Sequence, residues 1–205
     1  MNRDTKERPL TRLRAETDRL HLSFFESPAQ ELARNLVGCV LLHGDTAGMI
    51  VETEAYLGTD DLAAHSSRGR TARTRVIFGP PGRAYVYFIY GMHECLNVVA
   101  QPEGSPGCVL LRALEPLCGI QKMYERRHWE GPMTGLANGP GKLTQALAIT
   151  REHYGVRLDT GSLTIRTWRE PTRFEIAVTP RIGIRECADW PLRFVWANHP
   201  CLSKR

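Results

Sequence analysis

The run Ile50-Val51-Glu52-Thr53-Glu54-Ala55-Tyr56-Leu57-Gly58 constrains this chain more than any other stretch. It is apolar at both ends, which predicts a strand with Gly58 as its stop. A side-chain period of two sets Glu52, Glu54 and Tyr56 on one face and Val51, Thr53 and Ala55 on the other. Two carboxylates and a phenol on an otherwise apolar strand leave two physical outcomes. Either that face is solvated, as one face of an antiparallel sheet commonly is, or the groups are enclosed and must be paired or used, because burying them alone is costly. An enclosed carboxylate with a raised pKa is ready to act as a base.

At 205 residues the chain is expected to form one domain able to bury most of its apolar surface. An apolar fraction of 42% and a charged fraction of 24% are ordinary for a soluble globular protein. The formal charge of +5 favours an anionic partner, nucleic acid ahead of an acidic membrane surface. The cysteines (Cys39, Cys95, Cys108, Cys118, Cys187 and Cys201) form no C-x-x-C pair and no zinc-finger spacing with histidines. Several lie in apolar runs, so they read as reduced thiols, buried or incidental, in keeping with a cytoplasmic protein. No signal peptide is expected, since the first twenty residues are densely charged. Nor does any apolar run approach the roughly 20 residues of a membrane-spanning helix. Residues 1–20 read as a charged arm or a surface helix, and residues 21–205 as the single domain.

Ser27-Pro28-Ala29-Gln30 predicts a helix start, with Ser27 as cap, Pro28 in the first position and Gln30 completing a capping box. That helix should end at Gly38, followed by a strand at Cys39–His43 and a hairpin turn into the Glu52/Glu54 strand. Residues 59–83 form a long connection of the kind more often functional than decorative. It holds His65 and then Arg68, Arg70, Arg73 and Arg75, suited to phosphate oxygens or to a solvated basic loop. Ala84–Tyr90 and Cys95–Ala100 read as a second hairpin, whose Tyr85 and Phe88 are explained by core packing. Tyr90, beside the turn, is less well explained that way and is a candidate for stacking on bases or wedging into a duplex. Cys108–Leu114 is a further strand with Arg112 as its lone charge, to be paired or aimed at a ligand. A helix is expected from Leu117 to about Trp129, another from the glycine turn at Asn138 to Ile149, and short strands at 162–168, 174–178 and 191–197. Lys142 in the first turn of the second helix makes a ready phosphate contact, although the glycine pattern is not that of a nucleotide-binding P-loop.

Taken together and in order, several motifs resemble one family. They are Val51–Gly58 with Ala63-Ala64-His65-Ser66, Tyr85–Met92 with Asn97, Val109–Pro116, Gly139-Pro140-Gly141-Lys142-Leu143, and the tail Pro191–Val195 with His199-Pro200. Over about residues 25–205 the chain looks like the mammalian-type 3-methyladenine (alkyladenine) DNA glycosylases. The resemblance implies a mixed α/β (α+β) fold: a single compact domain with a curved, mostly antiparallel sheet, surrounding helices and a protruding β-hairpin that enters the DNA minor groove. It implies excision of 3-methyladenine, 7-methylguanine and hypoxanthine from double-stranded DNA by hydrolysis of the N-glycosidic bond, with no metal and no organic cofactor. The target nucleotide must be flipped out of the helix. Tyr90 would hold the gap open, with Met92 pressing on the opposite strand. The flipped base would stack between Tyr56 and Tyr87, with His65 completing the pocket and Asn97 near the base edge, where it discourages guanine. Cleavage passes through an oxocarbenium-like state that needs a carboxylate and a positioned water. The resemblance assigns the carboxylate to Glu54 and the positioning of the water or an adjacent phosphate to Arg112. Periodicity alone leaves Glu52 and Glu54 equivalent. Arg70, Arg73, Arg75 and Lys142 would hold backbone phosphates. A monomer in the bacterial cytoplasm, at the nucleoid and away from membranes, completes the expectation. Thr59 where a proline is often found, His93 in place of an aromatic, and a slightly shorter arginine loop depart from the family pattern. Two other readings remain, a catalytically silent nucleic-acid binder and a hydrolase of RNA or free nucleosides.

Overall fold

The computed structural model describes residues 7–89, 91–170 and 173–203. Its centre is the strand β3 (Thr46–Tyr56), which carries the two carboxylates. One edge of β3 pairs with β2 (Val40–His43) along Thr46–Met49 and with β9 (Arg193–Trp196) along Glu52–Glu54. The other edge pairs with β6 (Cys108–Cys118) along nearly its whole length. Outward from these lie β7 (Leu163–Trp168) and β1 (Thr17–Arg19) on one side, and β5 (His93–Val99) and β4 (Ala84–Ile89) on the other. A short strand, β8 (Ile176–Thr179), extends β9. All the pairings between these strands are antiparallel. Four α-helices accompany the sheet among the described residues: α1 (Leu10–Glu16), α2 (Ala29–Leu36), α3 (Ile120–Arg127) and α4 (Pro140–Ala146).

The α2 helix forms because Ala29, Leu32, Ala33 and Leu36 recur at helical spacing and all bury against the sheet. Ser27 does not cap it as the sequence suggested. Pro28 occupies the cap position without a side-chain hydrogen bond, and its carbonyl accepts from the Leu32 N–H at 2.9 Å. Leu10–Glu16 is helical with Leu13 buried, and Thr17–Arg19 then joins β7. The strand expected to end at Leu114 continues through Pro116 to Cys118, so the following helix starts only at Ile120, after Gly119. Sheet pairing to β3 holds this extension in place, which local propensity does not foretell. Phe88, expected in the core, is 40% exposed and lies under the Arg151 guanidinium at 4.9 Å.

The alternation predicted for β3 breaks at one point. Ile50 faces Leu114, Glu52 faces Ala113 and Thr53 faces Leu111, so Val51 on β3 and Arg112 on β6 have no partner opposite them. Each is the extra residue of a bulge. Val51 therefore leaves the face it was predicted to share with Thr53 and Ala55. It packs with Ala113 and Cys201, whereas Ile50 and Ala55 sit in the main core and the Thr53 hydroxyl donates to the Ala33 carbonyl of α2 at 2.8 Å. From the second bulge the Arg112 side chain reaches both glutamates.

Past Tyr56 the strand stops at Gly58, with φ of +110°. A Cβ there would lie 2.2 Å from the Pro106 carbonyl oxygen. Gly58→Ala is therefore expected to lose about 1–3 kcal/mol from backbone strain, with the clash adding to it, read as a lower urea midpoint at unchanged slope.

Candidate active site

The solvated reading of the β3 carboxylates is excluded, because Glu52 and Glu54 are both fully buried. The buried charges among the described residues balance: Glu52, Glu54 and Asp61 against Arg112, Arg181 and Arg193. Within this set the two glutamates differ. Glu52 Oε1 accepts from Arg193 Nε at 2.7 Å, from Arg112 Nε at 3.2 Å and from the Ser203 hydroxyl at 2.7 Å. Its Oε2 accepts from the Ser203 backbone N–H at 2.7 Å. Glu52 is thus saturated by two guanidiniums and the end of the described chain. Glu54 has one cation and two neutral donors: Arg112 Nη1 at 3.2 Å and the Tyr56 hydroxyl at 3.1 Å on Oε2, and the Ile182 N–H at 2.7 Å on Oε1.

A cavity of about 550 Å³ opens beside this cluster, within the range of small-molecule sites. Tyr56, Arg112 and Ile182 line it, and all three bond Glu54, which itself lies just behind the wall. Tyr87, His65, Asn97 and Lys142 line the same space, so side chains from distant parts of the sequence meet there. Cys108, Leu110 and Arg112 enter from alternate positions of β6, which gives the wall its mixed apolar and cationic character.

Burial pushes the Glu54 carboxyl above the usual carboxylate range, against the opposing pull of Arg112, the Ile182 N–H and the Tyr56 hydroxyl. The same burial, with Glu54 adjacent, raises the Tyr56 phenol, which stays a donor. His65 stands exposed at the cavity mouth, where burial of part of its ring and the charges of Arg73 and Arg68 hold its pKa below the ordinary value. Its Nδ1 and the Tyr85 hydroxyl hydrogen-bond at 2.9 Å, and its ring meets Tyr87 edge-on at 4.6 Å. Tyr85, read as simple core, is therefore also part of the pocket wall. The Asn97 amide is held from behind, donating to the Tyr85 carbonyl at 3.3 Å.

Arg70, Arg73 and Arg75 are all exposed, and the Arg73 guanidinium lies 5.1 Å over the Tyr87 ring. Lys142 donates to Asn138 Oδ1 at 2.8 Å at the cavity edge. Met92, in the turn of the β4–β5 hairpin, is 69% exposed. Tyr90, the expected wedge at the same turn, lies outside the described residues. No group of three or more His, Cys, Asp or Glu side chains suited to a metal ion occurs among the described residues. No described helix is long and apolar enough to cross a membrane. Sequence reasoning missed Asp61, Arg181, Ile182, Arg193 and Ser203. An acid in a loop, a lone arginine and a backbone amide carry no local signature; only the fold brings them to β3.

Residues 23–200 match the family model described as methylpurine-DNA glycosylase. A protein of Methanoculleus marisnigri named "Putative 3-methyladenine DNA glycosylase" is 48% identical over 91% of this chain and 99% of its own length. Proteins of the same name from Rhodopseudomonas palustris and Bacillus cereus are 50% and 45% identical, over 88% and 89% of this chain and 86% and 98% of theirs.

The two glutamates are expected to respond unequally to neutralisation. Glu52→Gln leaves Arg112 and Arg193 short of a buried counter-charge and should cost about 3–5 kcal/mol. Glu54 has a folded pKa raised by burial, so its ionised form at pH 7 opposes folding. Glu54→Gln should therefore stay within about 1 kcal/mol of the parent. Urea unfolding of both variants at pH 7 makes the comparison.

Proposed function

The chain belongs to the methylpurine-DNA glycosylase family and is thereby a DNA glycosylase acting on DNA; on that premise we propose that it flips alkylated or deaminated purines out of the duplex and hydrolyses their N-glycosidic bonds. The substrates in this reading are 3-methyladenine, 7-methylguanine and hypoxanthine, and the product is an abasic site with no strand cleavage. The observation that carries it is the asymmetry of the glutamates. Glu54 is bonded to three residues that line the cavity, Tyr56, Arg112 and Ile182, whereas Glu52 reaches the lining through Arg112 only, and burial raises the Glu54 carboxyl above the usual carboxylate range.

In this mechanism the flipped base stacks between Tyr56 and Tyr87, with His65 and Asn97 at its edge. A water held by Glu54 and Arg112 attacks C1′ as the C1′–N bond breaks, and the bonding electron pair leaves with the base. Glu54 takes the proton that the water gives up. Its negative charge also steadies the sugar cation as that charge develops. Tyr90 and Met92 fill the gap in the duplex, while Arg70, Arg73, Arg75 and Lys142 hold phosphates. The enzyme acts as a monomer on one lesion at a time, without metal or cofactor.

A silent binder of nucleic acid has no use for a buried carboxylate behind a pocket wall. Glu54→Gln is expected to lower single-turnover excision of hypoxanthine from a labelled duplex by about 10²–10⁴-fold, with breaks seen only after alkali. Duplex affinity should be retained. Excision that survives in Glu54→Gln sinks the assignment, and equal turnover of free nucleosides sinks the duplex substrate.

The base works deprotonated, so kcat/KM should fall as pH drops through the Glu54 pKa, which lies above the ordinary value of 4.5. His65 is already neutral there, since its pKa is held down. His65→Gln should therefore leave the acid limb in place. A limb that moves with His65 points to the imidazole instead.

A further inference from the structure

The reaction described above gives no role to the Arg181–Asp61 pair of the buried charge cluster. Both side chains are fully enclosed. Arg181 Nη1 donates to Asp61 Oδ2 at 2.5 Å and to the Ala55 carbonyl at 3.0 Å, and Nη2 donates to Asp61 Oδ1 at 2.9 Å. Asp61 is held in turn by the backbone N–H groups of Leu57 and Ala63, at 3.1 and 3.2 Å. Arg181 Nε is buried with no hydrogen-bond partner among the described residues. The guanidinium lies 4.7 Å from the centroid of the Tyr56 ring. Tyr56 lines the cavity and Arg181 does not, so the ring separates the guanidinium from the space where a base would stack.

We propose that Arg181, balanced by Asp61, sets the specificity of the pocket by weakening its preference for cationic over neutral bases. The inference rests on the reading that Tyr56 stacks on the flipped base. An aromatic face attracts a cation through its negative quadrupole. A guanidinium already on the far face opposes a second cation on the near one, and with no water between them the repulsion is felt more strongly than in bulk solvent. A neutral base does not feel it. Glu54 acts in the other sense by accepting from the Tyr56 hydroxyl, which enriches the ring. The ring is thus held between an electron-donating contact at its edge and a cation behind it. Asp61 cancels much of the guanidinium's charge, which keeps the effect modest.

The test measures single-turnover excision of 7-methylguanine, a cationic base, and of hypoxanthine, a neutral one, from the same duplex context. Removing both charges in Arg181→Gln/Asp61→Asn should move the rate ratio about three- to tenfold towards 7-methylguanine. Asp61→Asn alone leaves the guanidinium uncompensated and should move the ratio the opposite way. A purely structural pair would depress both rates together and leave the ratio fixed in both variants, and that result overturns the inference. If the double variant does not fold, the Asp61→Asn arm decides by its sign. A parent that removes 7-methylguanine alone also overturns it, because such a pocket has no weakened preference to explain. If the parent removes hypoxanthine alone, the double variant should gain 7-methylguanine excision, and its failure to do so is equally fatal. A parent that excises neither base overturns the functional reading itself.

Discussion

The guanidinium of Arg112 bridges two carboxylates, and the site depends on that bridge. Glu52 and Glu54 lie two residues apart on one strand and are both fully buried, so their charges repel with little water to screen them. Arg112 bonds both, through Nε to Glu52 and Nη1 to Glu54. It can do so because a bulge in β6 frees it from strict alternation. Arg193 and Ser203 then complete Glu52, leaving Glu54 as the acid with a single cationic partner.

Two kinds of buried ion pair follow from this arrangement. The Glu52 group is built for retention, since every partner removed leaves an uncompensated charge in the interior. The Glu54 group is built for reaction, because burial acts on it more strongly than its partners do. The strand that supplies both is held on two edges by three neighbours, so the positions of these atoms are set by rigid sheet rather than by a loop. The residues that close the cavity arrive on less regular segments: His65 on a single 3₁₀ turn and Ile182 in the connection between β8 and β9.

Much of the fold could be read from local pattern. The helix at 29–36 declared itself by Pro28 at its start and Gly38 beyond its end, and the Ala84–Ile89 and His93–Val99 hairpin by its aromatic and β-branched run. Capping chemistry misled at Ser27, where Pro28 took the cap position, and core reasoning misled at Phe88, which lies half-exposed beside Arg151. Both misreadings concern where a residue faces, and that is decided by neighbours distant in sequence.

The order of residues alone was enough to point to the kind of chemistry at hand. It showed an acid-bearing strand, an arginine-rich loop, an aromatic hairpin and an ordered set of motifs shared with one family of DNA glycosylases. It left Glu52 and Glu54 equivalent, because a period of two puts both on one face and says nothing of what stands opposite. The tertiary structure separated them by pairing β3 with β6 and β9 and by placing two extra residues, Val51 and Arg112, at bulges. The pairing partners of the carboxylates, Arg112, Arg193, Ser203 and Ile182, lie from 58 to 151 residues away along the chain. No local rule reaches that far; burial and charge balance in the folded interior do.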